Sequence, residues 1–131
     1  MENRIYFAGS TNRTEKDAWR EKLYRLLTES CENCRIDNFF YMEATGLKEF
    51  VATRIRISDI LIVNVDTLND DVCAVYDVAI ADEINRSGNK RIYILGFGKS
   101  EVNIRIESCL MVKLQSIYEL VDFMLLNDIL R

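Results

Sequence analysis

Ile60-Leu61-Ile62-Val63-Asn64-Val65 is the stretch on which the fold turns. Its apolar side chains run on without alternation, as they must in a strand covered on both faces, and that describes a central strand of a parallel sheet. Upstream, Leu47 to Ile57 reads as a helix whose apolar face is Phe50, Val51, Ile55 and Ile57. Before it, Arg35 to Tyr41 is a strand of mixed polarity and so belongs at an edge. Further back, Thr14-Glu15-Lys16-Asp17 opens a helix that carries Trp19, Leu23, Leu26 and Leu27 at helical spacing to about Ser30. Ile5-Tyr6-Phe7-Ala8 is a first strand, ending at Gly9-Ser10.

Downstream, a polar loop from Thr67 to Asp71 leads into a helix from Asp71 to Ser87, which Gly88 closes. Arg91 to Leu95 is a fourth strand, Gly96-Phe97-Gly98 a loop, and Leu110 to Leu114 a fifth strand. Ser116 and Glu119 form a capping box that starts a last helix running through Leu126. This alternation predicts an α/β fold: one Rossmann-like or flavodoxin-like doubly wound sheet of about five mostly parallel strands, with helices on both faces. With no proline, no linker and no repeat, residues 1–131 are expected to form a single domain.

Seventeen basic and 21 acidic residues leave a net charge of -4 without a long basic run, which argues against a nucleic-acid partner. The longest apolar stretch falls far short of the ~20 residues that cross a bilayer, and Ile5 to Ala8 is too short for a signal-peptide core. The expectation is a cytoplasmic protein with no membrane partner. Cys31-Glu32-Asn33-Cys34 has metal or redox spacing, yet the chain holds no histidine, and only Cys73 and Cys109 could complete a zinc set. The pair also follows a helix, where the dipole disfavours a thiolate. Neither a metal nor a cofactor is expected.

Ligands of such sheets bind beyond the carboxyl ends of the strands. Gly9 to Thr14 offers backbone N–H groups, hydroxyls and the Arg13 guanidinium to an anion, although such a loop is also an ordinary turn and cap. Asn64 to Asp77 gathers four carboxylates at one strand-to-helix junction. Acidic residues at a helix start are common stabilisers, but Asp77 lies two turns in, flanked by Val75, Val78, Ala79, Ile80 and Ala81. A carboxylate in that setting is a candidate nucleophile or base, the alternative being a helix-surface aspartate.

Ile5 to Ser10, Ser58 to Asp66 and Asp71 to Ala81 together resemble the nucleoside 2-deoxyribosyltransferase-like family, which includes a deoxynucleoside 5′-phosphate N-hydrolase branch. The likeness runs from Ile5 to about Leu95. It implies cleavage or transfer at the N-glycosidic bond of a deoxynucleoside or its 5′-phosphate, with that small molecule as the partner. It also implies Asp77 as the nucleophile, Asp71 as the residue that orients the sugar or nucleophile, and Tyr6 as an active-site hydroxyl. Gly9 and Ser10 would hold a phosphate with Arg13, and Asn64 and Asp66 would line the substrate site. A homo-oligomer, dimer or larger, is implied as well, with the apolar band of the last helix divided between core and seam.

Three positions depart from the family pattern. Asp77 stands where glutamate is usual, Cys73-Ala74 replace a Gly-Thr pair, and Val51 occupies the place of a base-contacting aspartate. A carboxylate one methylene short of attack geometry loses on the order of a hundredfold in rate unless the backbone compensates. The alternative is therefore a catalytically impaired nucleotide-binding or sensing module on the same fold.

Overall fold

Among the described residues, five strands alternate with five α-helices. They are β1 (Asn3–Phe7), α1 (Ala18–Ser30), β2 (Cys34–Asp37), α2 (Leu47–Ile57), β3 (Ile60–Asn64), α3 (Val72–Ser87), β4 (Tyr93–Phe97), α4 (Ile104–Glu107), β5 (Val112–Leu114) and α5 (Ile117–Leu126). The structure is a computed structural model that describes residues 2–9, 18–37 and 47–130, with the backbone alone for 47–50. The strands form one sheet in the order β2-β1-β3-β4-β5, and every pairing is parallel.

All of β3 is buried, as its unbroken apolar run requires. Alternate strand residues feed two cores. Ile5, Phe7, Ile60, Ile62 and Leu95 meet Leu23 and Leu27 of α1 and Leu120 and Met124 of α5. Tyr6, Leu61, Val63 and Ile94 point the other way, onto Ile55 of α2 and Ala74, Val78 and Ala81 of α3. Helices thus cover both faces, and each fully buried aliphatic side chain contributes about 1.5–3 kcal/mol. Among the described residues, no helix is long and apolar enough to cross a membrane.

The chain leaves β1 for β2 on one side and returns past it to β3 on the other, so the strand order reverses between β1 and β3. At the carboxyl ends of these two strands the chain passes on to Gly9 and Val65, and ligands of such sheets bind at a reversal of this kind.

Some boundaries differ from expectation. Gly96 and Phe97 belong to β4, not to a loop, because they pair with Val63 and Asn64 of β3 and with Lys113 and Leu114 of β5. The loop expected from Thr67 to Asp71 is a 3₁₀ helix, Val65–Asp70, capped by Asn64. Asp71 is the N-cap of α3, which ends at left-handed Gly88 as anticipated. The short α4 falls between the fourth and fifth strands, in the stretch where the sequence pattern is least legible and only the alternation asks for a helix. The start of the first expected helix and the end of the second expected strand lie outside the described residues.

Candidate functional site

Gly9, where the chain leaves β1, has φ +105, a conformation that side chains rarely adopt. A Cβ there would lie 2.5 Å from Asp71 Oδ2, 3.2 Å from Arg20 Nη2 and 3.4 Å from Ala74 Cβ. The backbone N–H of Gly9 donates to Asp77 Oδ2 at 2.8 Å. The missing side chain thus lets the end of β1, the start of α3 and the α1 arginine converge on one point.

Asp77 is 3% exposed. Burial pushes its carboxyl up to about 7; the Gly9 hydrogen bond opposes this, Asp71 adds to it and the Arg20 guanidinium draws it back. Its Oδ1 takes no hydrogen bond from the described residues. Asp71 Oδ1 caps α3 by accepting from Cys73 N at 3.1 Å and Ala74 N at 3.3 Å, while its Oδ2 faces Gly9. Tyr6 is 1% exposed. Burial first, then the Asp77 charge, hold its phenol far above the usual range, so it stays protonated and able to donate. Burial and the charges of Asp71 and Asp77 raise the Cys73 thiol, which disfavours a thiolate there.

Asn64 and Asp66 serve their own loops. Asn64 Oδ1 accepts from Asp66 N at 3.0 Å. Asp66 Oδ1 accepts from Lys99 N at 2.9 Å and Ser100 N at 2.8 Å, tying the exit of β3 to that of β4. Burial alone would raise the Asp66 carboxyl, but those donors, with Ser100 first, hold it below the usual range. Of the expected site residues, Tyr6, Gly9, Asp71 and Asp77 therefore come together, and the Asn64 and Asp66 side chains are occupied elsewhere. Ser10 and Arg13 lie outside the described residues.

Two residues of the site escaped the sequence reading. Arg20 is 3% exposed, donates to Phe7 O at 3.4 Å and Ala8 O at 3.0 Å, and lies 4.6 Å from the centre of the Trp19 ring. Its only signal was a cation inside the apolar stripe of Trp19 and Leu23. Asp37, at the end of β2, is the register partner of Tyr6. Its Oδ1 lies 3.9 Å from Arg54 Nη1, and its Oδ2 is buried with no hydrogen-bond partner among the described residues. It gave no signal beyond being an acid in a strand.

Among the described residues, no three His, Cys, Asp or Glu side chains are grouped to hold a metal ion. Cys31 and Cys34 form no disulfide and lie at the opposite end of the sheet, where Cys34 pairs with Asn3. Burial and the neighbouring Cys31 push Cys34 up to about 12, away from thiolate chemistry.

Fold and site together define a Rossmann-like α/β domain in which two carboxylates, Asp71 and Asp77, meet at Gly9 beside the switch point. No protein-family model and no curated protein matches the chain. Among solved structures it is similar to a conserved protein from Enterococcus faecalis V583, with a TM-score of 0.72 at 11% identity over 93% of this chain and 96% of that one. It is also similar to the TIR domains of the activated Roq1 resistosome, with a TM-score of 0.57 at 10% identity over 82% of this chain and 68% of that one. At such identities the likeness is one of fold.

Proposed function

We propose that this chain cleaves or transfers the N-glycosidic bond of a deoxynucleoside or deoxynucleoside 5′-phosphate, with Asp77 as nucleophile. The observation that carries the reading is the Asp77 carboxylate, buried beside the switch point, held by the Gly9 N–H and near Tyr6, Asp71 and Arg20.

In this mechanism the ionised Asp77 Oδ1 attacks the anomeric carbon, and the C–N bond breaks as the ester C–O bond forms. The base departs with the bonding pair and takes a proton from solvent or a neighbouring acid. Water, or the nitrogen of a second base, then displaces the ester and restores the carboxylate. The Gly9 N–H fixes one carboxylate oxygen so that the other is presented, Arg20 favours the ionised form, and the Tyr6 phenol donates to the sugar or nucleophile.

Incubation with a panel of deoxynucleosides and their 5′-phosphates should release free base, and Asp77→Ala should abolish it. No release from any panel member at high enzyme concentration overturns the reading. A second reading, a nucleotide-binding module without turnover, is favoured by the short aspartate, one oxygen of which is already engaged by Gly9. Its mark is a nucleotide that raises Tm, as a ligand selective for the folded state must, without base release. Both readings keep the expectation of a homo-oligomer. Tyr118, Leu125 and Leu126 supply exposed apolar surface on α5 for it, and light scattering tests it.

A further inference from the structure

Asp37 closes β2, and its pairing with Tyr6 sends both side chains to the sheet face covered by α2 and α3. Arg54 of α2 faces Oδ1 at 3.9 Å, beyond hydrogen-bond length. Oδ2 is buried and accepts nothing from the described residues. Most buried polar atoms in native folds are satisfied, and one that is not is often completed by something outside the chain. This acceptor sits beside Tyr6, at the candidate site, and a ligand donor would complete it.

The geometry limits what that donor can be. The Asp77 carboxylate meets the chain at Gly9, three residues beyond Tyr6, so the backbone at Asp37, the register partner of Tyr6, is offset by roughly 10 Å along the strands at ~3.3 Å per residue. With the anomeric carbon at Asp77, the 3′- and 5′-hydroxyls lie three and four bonds from the reacting atom, a shorter reach than the far edge of the base. A 5′-phosphate has the reach, but it is an anion carrying acceptors, and a carboxylate repels it. The far edge of the base has both the reach and an N–H to give. Adenine and cytosine present an exocyclic amino donor where oxo bases present an acceptor.

We infer that Asp37 is a specificity-determining residue whose Oδ2 accepts a hydrogen bond from the exocyclic amino group of the substrate's base, an inference that rests on the glycosidic-bond reading above. Arg54 sets the direction of the test. In Asp37→Asn the amide oxygen stays toward the guanidinium, so an NH₂ donor replaces the Oδ2 acceptor in the same volume.

The ratio of kcat/KM for deoxyadenosine over deoxyinosine, and for deoxycytidine over deoxyuridine, should then fall about a hundredfold, as when a buried polar group loses its match. The change should lie mainly in KM, because the contact exists before and during bond cleavage. Asp37→Thr, which lacks the carboxylate, should bring each ratio towards one. The same nucleosides are also ranked by the Tm shift they give each variant, a measurement that needs no turnover. Base release with ratios unchanged in both variants overturns the role of Asp37 and leaves the glycosidic reading standing. Tm shifts whose order inverts in Asp37→Asn, without base release from the unaltered chain, keep the role of Asp37 and overturn the glycosidic reading. Neither release nor any Tm shift overturns both.

Discussion

Asp77→Asn isolates the free energy of keeping a carboxylate where water is scarce. The amide keeps the side chain's size and an oxygen to accept from the Gly9 N–H, and it cannot ionise. In the unaltered chain the folded carboxyl titrates at about 7 against an ordinary 3.8. The sign follows from that order. Below about pH 4 both folded and unfolded states hold the proton, and the full contribution to stability is present. Between the two values only the unfolded chain ionises, so stability falls by 1.36 kcal/mol per pH unit. Above about 7 the contribution is lost, a total of about 4 kcal/mol.

Urea unfolding at a series of pH values from 4 to 8.5 measures this. Trp19 is the chain's one tryptophan and packs 5.4 Å from Phe7 and 5.3 Å from Phe97, ring centre to ring centre, so its fluorescence reports the fold. The variant should gain on the unaltered chain with rising pH, by about 4 kcal/mol in all, while the slope with urea stays equal. Two curves that run parallel across that range refute the idea that burial opposes the charge, and with it the electrostatic basis of the nucleophile.

Arg20→Met removes a cation that lowers the Asp77 carboxyl, so the ascending limb of the pH–rate profile should move to higher pH; a midpoint that stays put or falls contradicts this. Gly9→Ala places a methyl 2.5 Å from Asp71 Oδ2 at φ +105 and should cost about 1–3 kcal/mol in urea unfolding, with loss of base release. Asp66→Ala leaves the N–H groups of Lys99 and Ser100 to water and should cost about 1 kcal/mol at neutral pH. Because the Asp66 carboxyl is held low, the stability it gives is present at neutral pH and lost in acid, so the gap between the two chains should close as pH falls.

The parts of the fold legible in the sequence were those in which local pattern and tertiary environment agree. Ile60 to Val65 is apolar throughout because β3 has helices on both sides. Asp77 stood out because an acid inside an apolar helical run has few solvated faces to choose from. Gly96 and Phe97 misled because glycine usually ends a strand. Here Gly96 is in β4 because its bare backbone admits Leu110 and Val65, which a Cβ would meet at 3.0 and 3.3 Å. Asp66 looked like a ligand group, and its partners lie more than 30 residues away in a loop whose path no local pattern reveals. Arg20 and Asp37 stayed hidden for the same reason: their roles arise where α1 crosses the end of β1 and where β2 pairs with it.

The latch from Asp66 to the loop after β4 makes the two sides of the switch point unequal. The β3–β4 side is set when the domain folds, since one carboxylate already orders two backbone amides of the neighbouring strand exit. The nucleoside or nucleotide proposed above would meet a finished wall there and lose no binding free energy to shaping it. Differences in selectivity among variants of this domain should therefore map to the β1–β2 side.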